Sequence, residues 1–120
     1  MLGFKLFAAG LDSLAVGAVI QDVGASLSAA GTNQATATAL TNALNGVATV
    51  ATGAGVILYA GSAGDSQIVY NGGANAMNVF PPSGARINAI ATNGAHVLAV
   101  GTASVYYFIS GSQIALVTSA

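Results

Sequence analysis

Short apolar runs recur along this chain, most of them alternating with polar or small residues and separated by clusters of Gly, Asn, Ser and Pro. Period-two patterning of this kind predicts strands at 14–20, 34–41, 47–52, 56–60, 67–71, 77–80, 86–90, 96–100, 104–110 and 113–118. Helix signals are weak by comparison. Gly recurs every few residues, β-branched residues are frequent, and no Glu/Lys pairs fall at helical spacing. Strand starts about 8–12 residues apart are the pattern of a sandwich, jelly roll or barrel. The expected fold is therefore all-β, an antiparallel β-sandwich or jelly-roll-like domain with an N-terminal arm.

The connectors carry their own chemistry. Asn71-Gly72-Gly73-Ala74-Asn75 lies between two apolar runs and reads as a hairpin loop with positive φ. Gly61 to Asp65 forms a second connector. Pro81 and Pro82 stop the strand at 77–80, because neither can donate to a ladder. Before residue 32 the turn signals are less regular, and 27–32 reads as a linker of small residues. Residues 1–31 are thus expected to be an arm or extra strands, and 32–120 a compact β-domain.

Composition sharpens this picture. The chain is 54% hydrophobic, but 26 Ala and 16 Gly make that hydropathy broad and shallow. No stretch of about 18 residues is free of Thr, Asn, Ser or Gln, so a transmembrane helix is not expected. The opening Met1 to Ala9 has one basic residue ahead of an apolar run in the manner of a signal peptide, and Asp12 cuts that run early. No cysteine is present, which excludes disulfides and thiolate chemistry.

Charge is the most informative number. Lys5, Arg86, Asp12, Asp22 and Asp65 are the only charged side chains, where an average domain of this length carries roughly thirty. With a net charge of −1, copies barely repel one another. Such a surface is expected to be covered by neighbouring subunits in its working state. Two basic residues cannot track a phosphate backbone, so nucleic acid is not an expected partner.

Catalytic constellations are absent from the pattern. His96 is the lone histidine, and no Gly-x-Ser-x-Gly elbow presents a serine to it. It opens an apolar run after Asn93-Gly94 and reads as a strand-end residue. Asp65 reads as a turn residue, and its default ion-pair partner is Arg86. No ligand spacing points to a metal, no glycine-rich loop opens a helix, and no cofactor is expected. The chain reads as a non-enzyme. In Tyr106-Tyr107-Phe108, successive aromatics fall on opposite faces of one strand, which places one face in the core and leaves the other for a neighbour. The candidate interface residues are Phe4, Phe7, Leu11 and Leu14 in the arm, together with Tyr70, Phe80, Arg86, Tyr106, Tyr107 and Phe108.

One resemblance bears on function. It is carried by Gly53-Ala54-Gly55-Val56-Ile57-Leu58, Gly64 to Asn71, Gly73 to Gly84 and Ile87-Asn88, a turn-and-strand pattern over roughly the C-terminal two thirds. This pattern resembles the small β-rich domains of tailed-phage decoration (cement), head-fibre and tail-fibre proteins. The resemblance implies a homotrimer on the outer surface of a virion capsid, bound to the major capsid protein and stabilising the head. A fibre or receptor-binding β-domain is the alternative it leaves open, and a secreted or surface-layer β protein with a cleaved leader is a third.

Overall fold

A computed structural model describes residues 22–119 of the chain. Those residues form ten strands and no helix: β1 (Val23–Ala29), β2 (Thr38–Ala39), β3 (Leu44–Val50), β4 (Gly55–Ile57), β5 (Ser66–Asn71), β6 (Met77–Phe80), β7 (Arg86–Ile87), β8 (His96–Leu98), β9 (Ala103–Phe108) and β10 (Gln113–Thr118). They make two sheets. One has six strands in the order β1-β3-β5-β9-β10-β7, and the other has four in the order β2-β4-β6-β8.

From β1 to β9 successive strands alternate between the sheets, and this produces a solenoid-like stack. In the larger sheet β1, β3 and β5 run parallel, with register stepping from Val23 to Leu44 to Ile68. In the smaller sheet β2, β4 and β6 run parallel, stepping from Thr38 to Val56 to Val79. Three rungs are thereby laid one on another. The chain then reverses. β8 pairs antiparallel with β6, β9 pairs antiparallel with β5, β10 pairs antiparallel with β9, and β7 joins β10 in parallel.

The all-β expectation holds, while the pairing differs from an antiparallel sandwich or jelly roll. Only the last third of the described chain is laid down mainly by antiparallel pairing. The reason is that a strand–turn–strand step reads the same in sequence whether the turn folds back into one sheet or carries the chain across to another. The Asn71–Asn75 segment shows this directly. It is a corner between sheets rather than a hairpin, and neither Gly72 nor Gly73 has positive φ. Gly73 is required there for space, since a Cβ would lie 2.6 Å from Val50 Cγ2.

β1, VGASLSA, falls within residues 1–31, read as an arm or extra strands, and partly within 27–32, read as a linker; among the described residues it is an outer strand of the six-stranded sheet. Its run of Gly, Ala and Ser gave too weak a signal to place a strand at 23–29. It is the first rung among the described residues and leaves most of its side chains exposed, with Ala29 buried. The strand expected at 14–20 and the interface candidates Phe4, Phe7, Leu11 and Leu14 lie outside the described residues. Of the strand expected at 34–41, only Thr38–Ala39 forms; Ala37 N donates to Asn33 O at 2.9 Å in a turn before it.

The core lies between the sheets. Val47, Val56, Val69, Met77, Val79, Ile87, Leu98 and Ile114 are fully enclosed, with Tyr106 and Phe108 as the largest members. Four polar side chains, Asn45, Gln67, Asn71 and Ser104, are buried with them. Each occupies an inward position in the alternation, and most of their polar atoms are satisfied. Gln67 Nε2 donates to Tyr59 O at 2.8 Å and its Oε1 accepts from Tyr59 N at 3.2 Å, which mimics a ladder step and holds the segment after β4 against β5. Among the described residues no helix is long and apolar enough to cross a membrane.

Candidate functional interface

Every charged side chain in the described region sits at a strand end or in a turn. Asp22 caps the start of β3, accepting from Asn42 Nδ2 at 2.7 Å and from Ala43 N at 3.0 Å. Asp65 closes its own turn: Oδ2 accepts from Ser62 N at 2.8 Å, with Gly64 at φ 93 completing the bend. Arg86 is exposed on β7, and among the described residues no ion pair joins it to Asp65. The default pairing expected from sequence is therefore not formed: Asp65 makes a turn contact instead, and Arg86 is exposed on β7.

His96 is similarly committed. It is half-buried on β8, with Nδ1 3.0 Å from the Tyr106 hydroxyl and the two rings edge to face at 6.0 Å. Burial lowers its pKa below the ordinary histidine value. Burial also raises that of Tyr106, an effect partly opposed by a hydrogen bond from Ser104. The phenol keeps its proton and the imidazole is neutral, which suits O–H donation to Nδ1. Among the described residues no group of three or more His, Cys, Asp or Glu side chains comes together.

The feature that stands out is the outer face of the six-stranded sheet. Strands β1, β3, β5, β9 and β10 contain no charged residue. Alternation turns Asn45, Val47, Gln67, Val69, Asn71, Ser104, Tyr106 and Phe108 inward, and it turns Leu44, Gly46, Ala48, Ile68, Tyr70, Ala103, Val105, Tyr107, Ala115 and Val117 outward. Register then aligns Val23, Leu44, Ile68, Val105 and Val117 in one row across five strands. Val23, Leu44, Tyr70, Tyr107 and Val117, five of the eight exposed large hydrophobics, belong to this face.

A depression of about 270 Å³ interrupts the face beside Tyr70, lined by Ala25, Gly46, Val47, Ala48, Tyr70 and Gly72. Its size follows from local sequence. Gly46 has no side chain to fill it, and a Cβ there would lie 3.3 Å from Ala25 O. The Tyr70 ring lies over Gly72, where a Cβ would stand 3.0 Å from Tyr70 Cε2. Two small residues and a parked aromatic ring leave a hollow next to a wall.

The sequence-predicted interface residues are thus divided. Tyr70 and Tyr107 are 44% and 47% exposed on this face. Tyr106 and Phe108 are 0% and 2% exposed; they fill the core and are unavailable to a partner. Phe80 is half-buried on β6 in the other sheet, and Arg86 lies on β7, at the far edge of the large one. Ile68, Val105, Val117 and the small residues between them were not singled out from sequence, because only the pairing register reveals that they share a row. No family model matches the chain, and neither does any curated protein or solved structure.

Proposed function

We propose that this chain is a non-enzymatic structural subunit that works in a homo-oligomer, and that it is a capsid cement protein attached as a homotrimer to a shell of major capsid protein. One observation carries the first part: a sheet face of five strands with apolar rows, small residues and no charge. Five strands at about 4.8 Å spacing and six residues of about 3.4 Å each present a face of roughly 500 Å². Burying that area on two partners removes about 1,000 Å², the threshold for a specific interface. Left in water, an uncharged face of this size, apolar but for polar residues such as Ser66 and Gln113, is an aggregation liability in a monomer.

Two considerations favour copies of the chain over a charged partner. A near-neutral subunit opposes its own association very little. A partner that placed a carboxylate or ammonium on this face would bury it unpaired, at a cost of several kcal/mol. The capsid assignment rests on the turn-and-strand resemblance at 53–88. Multivalent attachment suits it, since a trimer multiplies weak neutral contacts through effective concentration.

The test has two steps. Purified chain is sized by sedimentation equilibrium, with Ile68→Lys placing a charge mid-row. The reading expects a wild-type oligomer that the variant dissociates. The chain is then mixed with shells of tailed-phage major capsid protein that lack decoration, and the shells are pelleted. Stoichiometric co-sedimentation is the expected result, and oligomers that leave every such shell bare overturn the capsid assignment.

A further inference from the structure

The geometry points to a specific knob and socket on the apolar face: we infer that Tyr107 of one copy enters the depression beside Tyr70 of a second copy. The inference deepens the homo-oligomer reading and rests on it.

The socket comes first. A dry cavity of roughly 150 Å³ already holds a benzene ring, so a depression of about 270 Å³ has room for a phenol. Its lining is Ala25, Gly46, Ala48, Gly72 and the Tyr70 ring, with the backbone of Val47, whose side chain is turned into the core, and no charged group to satisfy. Tyr70 offers a face or edge to a second ring, an arrangement worth about 0.5–1.5 kcal/mol beyond area burial.

The knob comes from the same face. Tyr107 stands on β9, is 47% exposed, and has only Ser66 and Ala115 beside it across the ladders. Small neighbours leave its ring proud of the sheet. It cannot fill its own protomer's socket. Tyr70 pairs with Ala103, four residues along β9 from Tyr107, which separates the two by about 13 Å along the strand. The socket extends from Tyr70 towards β3, further from β9.

A knob and a socket at different places on one surface make a contact in which each copy gives one and receives the other. With the two faces opposed the exchange is reciprocal, Tyr107 of each copy entering the other's depression, so the contact is isologous about a two-fold axis, and the trimer that the resemblance implies uses a second contact. Tyr is also the residue type that most often anchors an interface, supplying large contact area with little rotamer entropy to lose. Because the contact is apolar and uncharged, salt should not weaken it.

The absence of native cysteine makes the test clean. Ala48→Cys and Ser66→Cys, the second beside Tyr107 across the ladder so that the knob is kept, are made singly and together in the full chain and treated with a short bis-maleimide. Both positions are exposed, and far-UV circular dichroism checks that each variant keeps its sheet content. The double variant should give a covalent dimer, with each single variant remaining uncrosslinked. Ala48→Phe, which fills the socket from within, should weaken self-association at least tenfold. Wild-type oligomers whose double variant crosslinks no more than the singles, or whose Ala48→Phe variant associates normally, overturn the knob and socket while leaving the homo-oligomer standing. A wild-type chain that is monomeric throughout overturns both. A ladder that runs past the dimer overturns the reciprocal contact while leaving self-association standing.

Discussion

Replacing Asn71 with Ala should destabilise the protein more than any other single polar substitution in the core. Asn71 is fully buried at the end of β5, where the chain leaves one sheet for the other. Its Nδ2 donates to Asn75 O at 2.9 Å and to Leu98 O at 2.9 Å, and its Oδ1 accepts from Gly73 N at 3.0 Å. The side chain therefore ties the corner to itself and to β8, the strand that begins the antiparallel closure. Alanine strands three backbone groups. Water can reach those of Gly73 and Asn75, which are half-buried, but Leu98 is fully enclosed. Each buried group left unpaired costs about 1–3 kcal/mol, with less where solvent enters. One full penalty, two partial ones and a small cavity come to about 3–5 kcal/mol. For a chain of this length that corresponds to a fall in Tm of about 12–20 °C. Urea unfolding followed by far-UV circular dichroism would measure it, at matched protein concentration because association shifts apparent stability. A loss under about 1 kcal/mol would refute the reasoning, since the corner would then hold without its clamp.

Other expectations follow from the same contacts. Asn45→Ala should cost less than Asn71→Ala in the same urea assay, because Asn45 Oδ1 has no hydrogen-bond partner among the described residues and only its Nδ2 contacts, to Asn42 O and Ile68 O, are lost. Gly73→Val forces a side chain against Val50 and should cost about 1–3 kcal/mol as an overpacking change. Gly64→Ala meets nothing within 4 Å but holds φ at 93, so its cost should be the smaller 1–2 kcal/mol or so of left-handed backbone. The His96 pKa is lowered by burial, so the unfolded chain takes up a proton that the folded one resists. Stability is then fully present above about pH 6.5 and declines as pH falls towards the lowered folded value. Tm scans between pH 8 and pH 5 should show that slope, and His96→Gln should flatten it.

Much of the strand content was legible because alternation survives in the strands themselves. Ser66–Asn71 and Ala103–Phe108 alternate cleanly between core and surface, and that is the signal a period-two reading detects. The rung stacking was not legible. Steps from Val23 to Leu44 to Ile68 differ in length, and the stacked residues share no identity, so no fixed repeat marks them. Extra strands before residue 32 were allowed for, but β1 could not be placed, because Gly, Ala and Ser dominate it and its place is secured by pairing with β3. Of the candidate interface, alternation alone put Tyr107 on the face opposite Tyr106 and Phe108, but which face is buried did not follow from it. The apolar row did not, because Val23, Leu44, Ile68, Val105 and Val117 are brought level only by five strands' register. The buried amides had a readable signal: Gln67, Val69 and Asn71 are in phase, so an inward valine implies inward amides on either side.

The account turns on one property of the surface: a sheet face without charge that is covered by further copies of the chain. Sedimentation equilibrium of the full chain over a wide concentration range, in low and in high salt, measures it directly. Self-association into a closed oligomer that added salt leaves intact is the predicted result. A single species of one chain's mass at every concentration, with the face open to water, would contradict the account.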